Sequence, residues 1–304
     1  MKLRIAENFR AVFYAPFYAM RALRLAEREG LEVEWLSSDT PGGTINEVKR
    51  GAIDAQWGGP MRVLKDHDST PDSDARLVCF AEVVSRDPFH LVGRNRARLM
   101  QLPDLAAMRL GVVTEVPTPW QCLRADLEDA GVDTTAMRKS GRLVENLTMP
   151  QQLEALAAGK LDAVQVFEPY ASRAVAEGYA ILYAAASRGP TSYTAFMTSR
   201  DTASKRRDEL AALTRATQGV LHWLAAEGPG ELARATAAFF PDVPPELVRS
   251  SLERYQRAGI WSRTTEVSKP GFERLAHSLH SGGFIARRAT YKECVQDFSK
   301  PQAG

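Results

Sequence analysis

Arg50-Gly51-Ala52-Ile53-Asp54-Ala55 and Ala158-Gly159-Lys160-Leu161-Asp162-Ala163 are the two stretches that decide the fold of this chain. Gly and Asp recur at matching places, at one shared offset of 108 positions (51 to 159, 54 to 162). A Gly that ends a helix before an apolar strand is common αβ-loop chemistry, so six residues alone decide little. A repeat has to be judged over its whole unit, and here the surrounding elements repeat too.

Before the first stretch, residues 3–6 read as a strand, and Phe17, Met20, Leu23 and Leu25 recur at helical spacing up to Gly30. Residues 31–36 form the next strand. The turn Pro41-Gly42-Gly43-Thr44 leads into a short helix that Thr44 can cap and Gly51 ends. Residues 53–57 and 76–84 are the third and fourth strands. Around the second stretch the order starts again: strand 109–113, a helix from Thr118-Pro119 to Gly131, strand 144–147, helix 151–158 and strand 163–166. Strands alternating with helices imply crossover connections and mostly parallel sheets. The second unit ends near Arg188-Gly189-Pro190, residues 193–198 add a strand, and helical patterns follow around 210–224, 232–240, 245–258 and 272–279. The expected division is therefore 1–88 and 89–190, with 191–304 returning to the first lobe.

Composition narrows the function. The 304 residues carry 39 Lys+Arg against 37 Asp+Glu, a formal charge of +2, which builds no strong field for nucleic acid. No window approaches the roughly 18 unbroken apolar residues of a membrane helix. Cys79, Cys122 and Cys294 contain no C-x-x-C pair and are too few for a disulfide framework. No His, Cys or Asp cluster has metal spacing, so neither metal nor cofactor is expected. The first residues show no apolar leader, which fits a cytoplasmic chain if Met1 is the native start and a periplasmic one if a leader was removed.

In open α/β sheets ligands sit beyond the carboxyl ends of strands. That rule selects Asn8, Phe9, Phe13, Tyr14, Gly43, Thr44, Trp57, Gly58 and Gly59 in the first lobe. In the second it selects Thr114, Val116, Pro117, Thr118, Trp120, Glu168 and Tyr170, with Ser192 and Tyr193 at the return crossover. Phe9, Tyr14, Trp57 and Trp120 would stack on or enclose a ligand. Glu168 would accept from an amino or cationic nitrogen, and Thr44, Thr118 and Ser192 would exchange hydrogen bonds. Aromatic walls with few fixed polar groups suit a planar organic molecule. Each assignment has a plainer competitor: aromatics at helical spacing pack cores, and Glu168-Pro169 is helix-start chemistry.

These residues resemble the thiamine-pyrimidine-synthase-like (NMT1/THI5-like) branch of the periplasmic binding proteins. The resemblance rests on Gly30-Leu31-Glu32-Val33-Glu34, Gly43-Thr44, Gly51-x-x-Asp54-Ala55, Gly58-Gly59-Pro60, Arg86-Asp87-Pro88-Phe89, Leu102-Pro103-Asp104-Leu105, Gly159-Lys160-Leu161-Asp162-Ala163 and Phe167-Glu168-Pro169-Tyr170. It implies the type II periplasmic binding fold: two α/β lobes joined by a two-strand hinge, with C-terminal helices on lobe one. It also implies a monomer that delivers a small organic ligand to the permease of an ABC transporter, with a pyrimidine-like heterocycle favoured over a sulfonate. Gly58 and Arg62 stand where the pyrimidine synthases of the branch carry Lys and His, Thr114-Glu115-Val116-Pro117 replaces their Gly-rich loop, and Thr191-Ser192-Tyr193-Thr194 replaces their cysteine cluster. The expected activity is binding. An enzyme on the same fold, with Glu168 or Glu115 as acid or base, is the alternative, and a sulfonate- or taurine-type binding protein is another.

Overall fold

The computed structural model describes residues 1–38, 40–70, 76–94 and 101–300. Asp39, within the 37–44 loop expected at the site, lies outside the described residues. The chain separates into two compact units, Met1–Arg86 with Pro190–Gly304, and Asp87–Gly189.

The first unit begins β1 (Lys2–Ala6), α1 (Ala15–Ala22), α2 (Leu25–Arg28), β2 (Glu32–Leu36), α3 (Ile45–Lys49), β3 (Ala55–Gly58), α4 (Met61–Ser69) and β4 (Leu77–Val84). The second unit runs β5 (His90–Gly93), β6 (Leu110–Gly111), α5 (Pro117–Asp129), α6 (Thr134–Lys139), β7 (Leu143–Val144), α7 (Met149–Ala157), β8 (Ala163–Val166), α8 (Tyr170–Ala176) and β9 (Ala180–Ala184). The chain then returns to the first unit with β10 (Thr194–Ser199), α9 (Arg200–Lys205), α10 (Arg207–Thr236), α11 (Pro245–Ala258), α12 (Lys269–Ser281) and α13 (Tyr291–Cys294).

The two sheets share one topology. Their orders are β2-β1-β3-β10-β4 and β7-β6-β8-β5-β9. In each, three parallel strands are followed by two antiparallel pairings, made by β10 in the first sheet and β5 in the second. β3, β4, β8 and β10 are buried along their whole length, as strands covered on both faces must be.

The repeated Gly and Asp have a mechanical role. Arg4 donates its backbone N–H to Asp54 Oδ2 at 2.7 Å and its guanidinium to the Gly51 carbonyl at 3.1 Å. Arg109 does the same to Asp162 and Gly159, both at 2.8 Å. The carboxylate thus pins the start of the third parallel strand to the first in each unit. Gly51 and Gly159 turn there with φ of 75° and 70°, which any side chain would resist.

Several element boundaries differ from the sequence reading. α5 starts at Pro117 with Val116 as its extended N-cap, because that proline supplies the first helical position, two residues before Pro119. Thr118 is therefore buried inside the helix and does not cap it. The strand expected over 144–147 is only Leu143–Val144, and α7 starts at Met149 under a Thr148–Gln151 capping box. β5 and β9 were not anticipated. The 210–224 pattern and the start of the 232–240 one belong to α10, broken at Gly228 (φ 79°) before Pro229, while Ala237–Phe239 form a separate 3-10 turn.

α10 packs on α1 and α2, and Trp261 donates its indole N–H to the Phe13 carbonyl at 3.0 Å. The C-terminal helices therefore brace the loop after β1. Among the described residues no helix is long and apolar enough to cross a membrane.

Candidate functional site

The first unit gathers polar side chains at the carboxyl ends of β1 and β3. Asn8, two residues beyond β1 and 2% exposed, is the centre. Its Nδ2 donates to the Tyr14 hydroxyl at 3.1 Å, and its Oδ1 accepts from Gly42 N–H at 2.8 Å and from Gln56 Nε2 at 3.3 Å. The Thr44 hydroxyl donates to Gln56 Oε1 at 2.9 Å. Thr44 occupies the N-cap position of α3, yet makes no side-chain cap bond. Four separate segments are thereby held in one arrangement by side-chain hydrogen bonds.

Gly58 is closely packed: a Cβ would lie 3.0 Å from Met197 Cε and 3.4 Å from Asn8 Cγ, so the methionine tip would have to shift. Gly43 donates its N–H to Thr40 at 2.9 Å and sits at the surface, while Gly59 is half-buried between β3 and α4. Burial pushes the Tyr14 phenol up to about 12, so it stays protonated near neutral pH.

Arg62, in the first turn of α4, leans against this network. A Cβ on Gly42 would sit 2.5 Å from its Nη2. It is half-buried; its backbone N–H donates to the Gly59 carbonyl at 3.1 Å, but among the described residues its guanidinium makes no hydrogen bond and no ion pair. Burial lowers its pKa, with only the nearby Tyr14 acting in the opposite direction. A first helical turn is also the positive end of the dipole, which disfavours a cation.

The aromatic residues are placed differently from the sequence expectation. Trp57, 3% exposed, stacks on Phe17 with ring centres 4.9 Å apart and planes 6° apart, edge-on to Tyr18, Trp35 and Phe196. It is a core residue, because its strand is buried on both faces. Phe13 lies in the same interior, 4.3 Å from Tyr14 and 6.3 Å from Tyr193 between ring centres. Phe9 alone in this group keeps open surface, edge-on to Tyr14 at 5.3 Å. Ser192 is fully buried, and its hydroxyl faces Glu82.

In the second unit Trp120 is 4% exposed inside a cluster with Leu91, Leu110 and Leu127. The carboxylate of Glu168, with no exposed surface, accepts the Ser172 N–H of α8 at 2.8 Å, which is helix-start chemistry. Both side chains are buried in this structure. Thr114 is exposed, Val116 and Pro117 are half-buried at the start of α5, and Tyr170 is half-open, edge-on to Phe167 at 5.8 Å.

Gly42, Gln56 and Arg62 were missing from the sequence-derived set. Gln56 could have been found as a polar residue inside an otherwise apolar strand. Arg62 was visible as a departure from a related pattern, but its guanidinium's lack of a partner among the described residues is a three-dimensional fact.

The NMT1-like family profile matches residues 9–240, a span that includes this whole network except β1 and Asn8. The chain belongs to the NMT1-like family. A relative from Bacillus subtilis (strain 168), named "Putative binding protein YtlA", is 23% identical over 299 residues, covering 97% of this chain and 87% of that protein. The periplasmic aliphatic sulphonate binding protein SsuA of Escherichia coli superposes with a TM-score of 0.77 at 14% identity, covering 100% of this chain and 94% of that one. The desulfurization enzyme DSZB does so with a TM-score of 0.66 at 14% identity, covering 98% and 97%. This NMT1-like chain therefore has the periplasmic binding protein fold, on which both binders and an enzyme occur, so the fold alone does not decide between them.

Proposed function

We propose that this chain is a solute-binding protein that captures a small organic ligand outside the cytoplasmic membrane and delivers it to the permease of an ABC importer. The observation that carries the reading is the Asn8 network. One side chain locks the ends of β1 and β3, the 41–44 turn and Tyr14 before any ligand arrives, which reduces the ordering cost of binding. The binding-protein relatives support the same reading. So does the chemistry of the network: Asn8, Gln56, Thr44 and a phenol that titrates near 12 offer hydrogen bonds but no base for catalysis near neutral pH.

For the ligand's body we propose a planar heterocycle, pyrimidine-like compounds included, packing beside the half-buried ring of Phe9. Sulfonates, which the Escherichia coli relative binds by name, are the second reading, and the cation of Arg62, without an ion-pair partner among the described residues, favours them. A thermal-shift screen of pyrimidines and alkanesulfonates against wild type and Asn8→Ala tests the proposal. At least one class should raise the wild-type melting temperature, and the rise should shrink in the variant. Ligands that stabilise both proteins equally would move the site elsewhere. Turnover of a stabilising compound, followed by mass spectrometry, would convert the reading to an enzyme.

A further inference from the structure

We infer that Arg62 is the specificity-determining residue of this site and that the ligand carries an acidic group, a carboxylate or a sulfonate, which the guanidinium holds. The inference deepens the solute-binding reading and rests on it. Arg62 is a half-buried cation that among the described residues has no carboxylate, carbonyl or hydroxyl partner. Among the described residues its neighbours on this face are neutral: the Gly42 backbone, which its guanidinium touches, and the protonated Tyr14. Three described carboxylates of this part of the chain are occupied elsewhere. Glu7 binds Arg10 and Tyr18, Asp54 binds Arg4 and Arg206, and Asp66 binds Lys49 and the backbone of Arg76 and Leu77.

A partly desolvated cation without a counter-charge is costly, and placing it in the first turn of a helix adds to that cost. An anion removes both penalties at once. A guanidinium also presents parallel N–H donors, which fit two oxygens of a carboxylate or sulfonate. Gly42 is part of this device, because any side chain there would occupy the position of the guanidinium. A neutral ligand of the same shape would leave the charge uncompensated, so the residue selects by rejecting as well as by attracting.

The test uses the acidic groups alone and needs no knowledge of the ligand. The full chain, labelled with 15N-arginine, is titrated with sodium acetate, sodium methanesulfonate and the neutral dimethyl sulfone, at constant ionic strength set with chloride. The Arg62 Nε–H signal is assigned by its absence in Arg62→Gln. A saturable shift of that signal, in the millimolar range, is expected with acetate or methanesulfonate and not with dimethyl sulfone. Saturation by acetate only assigns a carboxylate, by methanesulfonate only a sulfonate, and by both the shared anion chemistry. Arg62→Lys, checked for folding by circular dichroism, should stay stabilised by the effective anion in a thermal-shift assay, with several-fold weaker affinity, while Arg62→Gln should lose the stabilisation. No saturable shift with either anion, or equal stabilisation of Arg62→Gln, would overturn the inference. A neutral molecule found bound to the purified protein would then still support solute binding without an acid anchor.

Discussion

The guanidinium of Arg62 lies so close to Gly42 that a Cβ added to the glycine would be 2.5 Å from Nη2. Gly42 also has φ of 76°, a conformation that disfavours any side chain. Its N–H is held by Asn8 at 2.8 Å. One residue without a side chain therefore joins the hydrogen-bonded network to the Arg62 guanidinium.

Gly42→Ala should meet both penalties, the backbone strain and the displaced guanidinium. We expect a loss of about 1–3 kcal/mol, measured by urea unfolding. Gly43→Ala, at a residue without positive φ, should cost less, and equal costs would remove the special role given to Gly42.

Asn8→Ala leaves the Gly42 N–H and the Gln56 amide without their acceptor in a buried setting. The expected loss is about 1–3 kcal/mol in the same assay. Because Thr44 is tied in only through Gln56, Thr44→Val should cost less than Asn8→Ala, on the order of 1 kcal/mol.

The second unit contains a buried ion triad where the chain enters and leaves it. Arg188, its side chain 3% exposed, binds Asp87 at 2.9 Å and Asp126 at 2.5 Å, and Tyr183 donates to Asp126 at 2.8 Å. Arg188→Ala strands the buried Asp87 carboxylate and the half-buried Asp126 one and should cost about 3–5 kcal/mol. Exposed Arg138, paired with Glu145 at 2.7 Å, is the control, and its loss should cost under about 1 kcal/mol. Thermal unfolding of both variants separates the two cases.

Glu82 makes stability depend on pH. Burial raises its pKa from 4.5 to about 8, with the Ser268 N–H its one backbone donor at 3.2 Å. Between these values the folded protein keeps a proton that the unfolded chain releases. Its stabilising share is thus complete below about pH 4.5 and is lost as pH rises through about 8. Glu82→Gln should remove this slope and leave the variant more stable than wild type at pH 9, by on the order of 2 kcal/mol. A wild-type stability that rises over that interval, relative to the variant, would refute the assignment.

The repeat was legible because its markers do local work. Gly51 and Gly159 end helices, and Asp54 and Asp162 pin strands, so chemistry and sequence spacing coincide. β5 and β9 were not legible because their short segments acquire strand geometry only by pairing with each other and with β8. Asn8, Tyr14 and Thr44 were found from their positions after strands or in a turn. Trp57 and Trp120 were assigned to a ligand wall because sequence shows that a ring is near a strand end but not which side it packs on. Gln56 and Arg62 escaped because their significance depends on what surrounds them: a carbonyl accepting from Thr44 in one case, and a guanidinium without a partner among the described residues in the other.

The central claim is that this chain grips a small molecule without transforming it. Native mass spectrometry tests it after the protein is unfolded, refolded free of bound molecules and exposed to a small-molecule extract. The account predicts an added non-covalent mass that leaves unchanged on acid unfolding and fails to appear with Asn8→Ala. No added mass, or a molecule released in altered form, would contradict it.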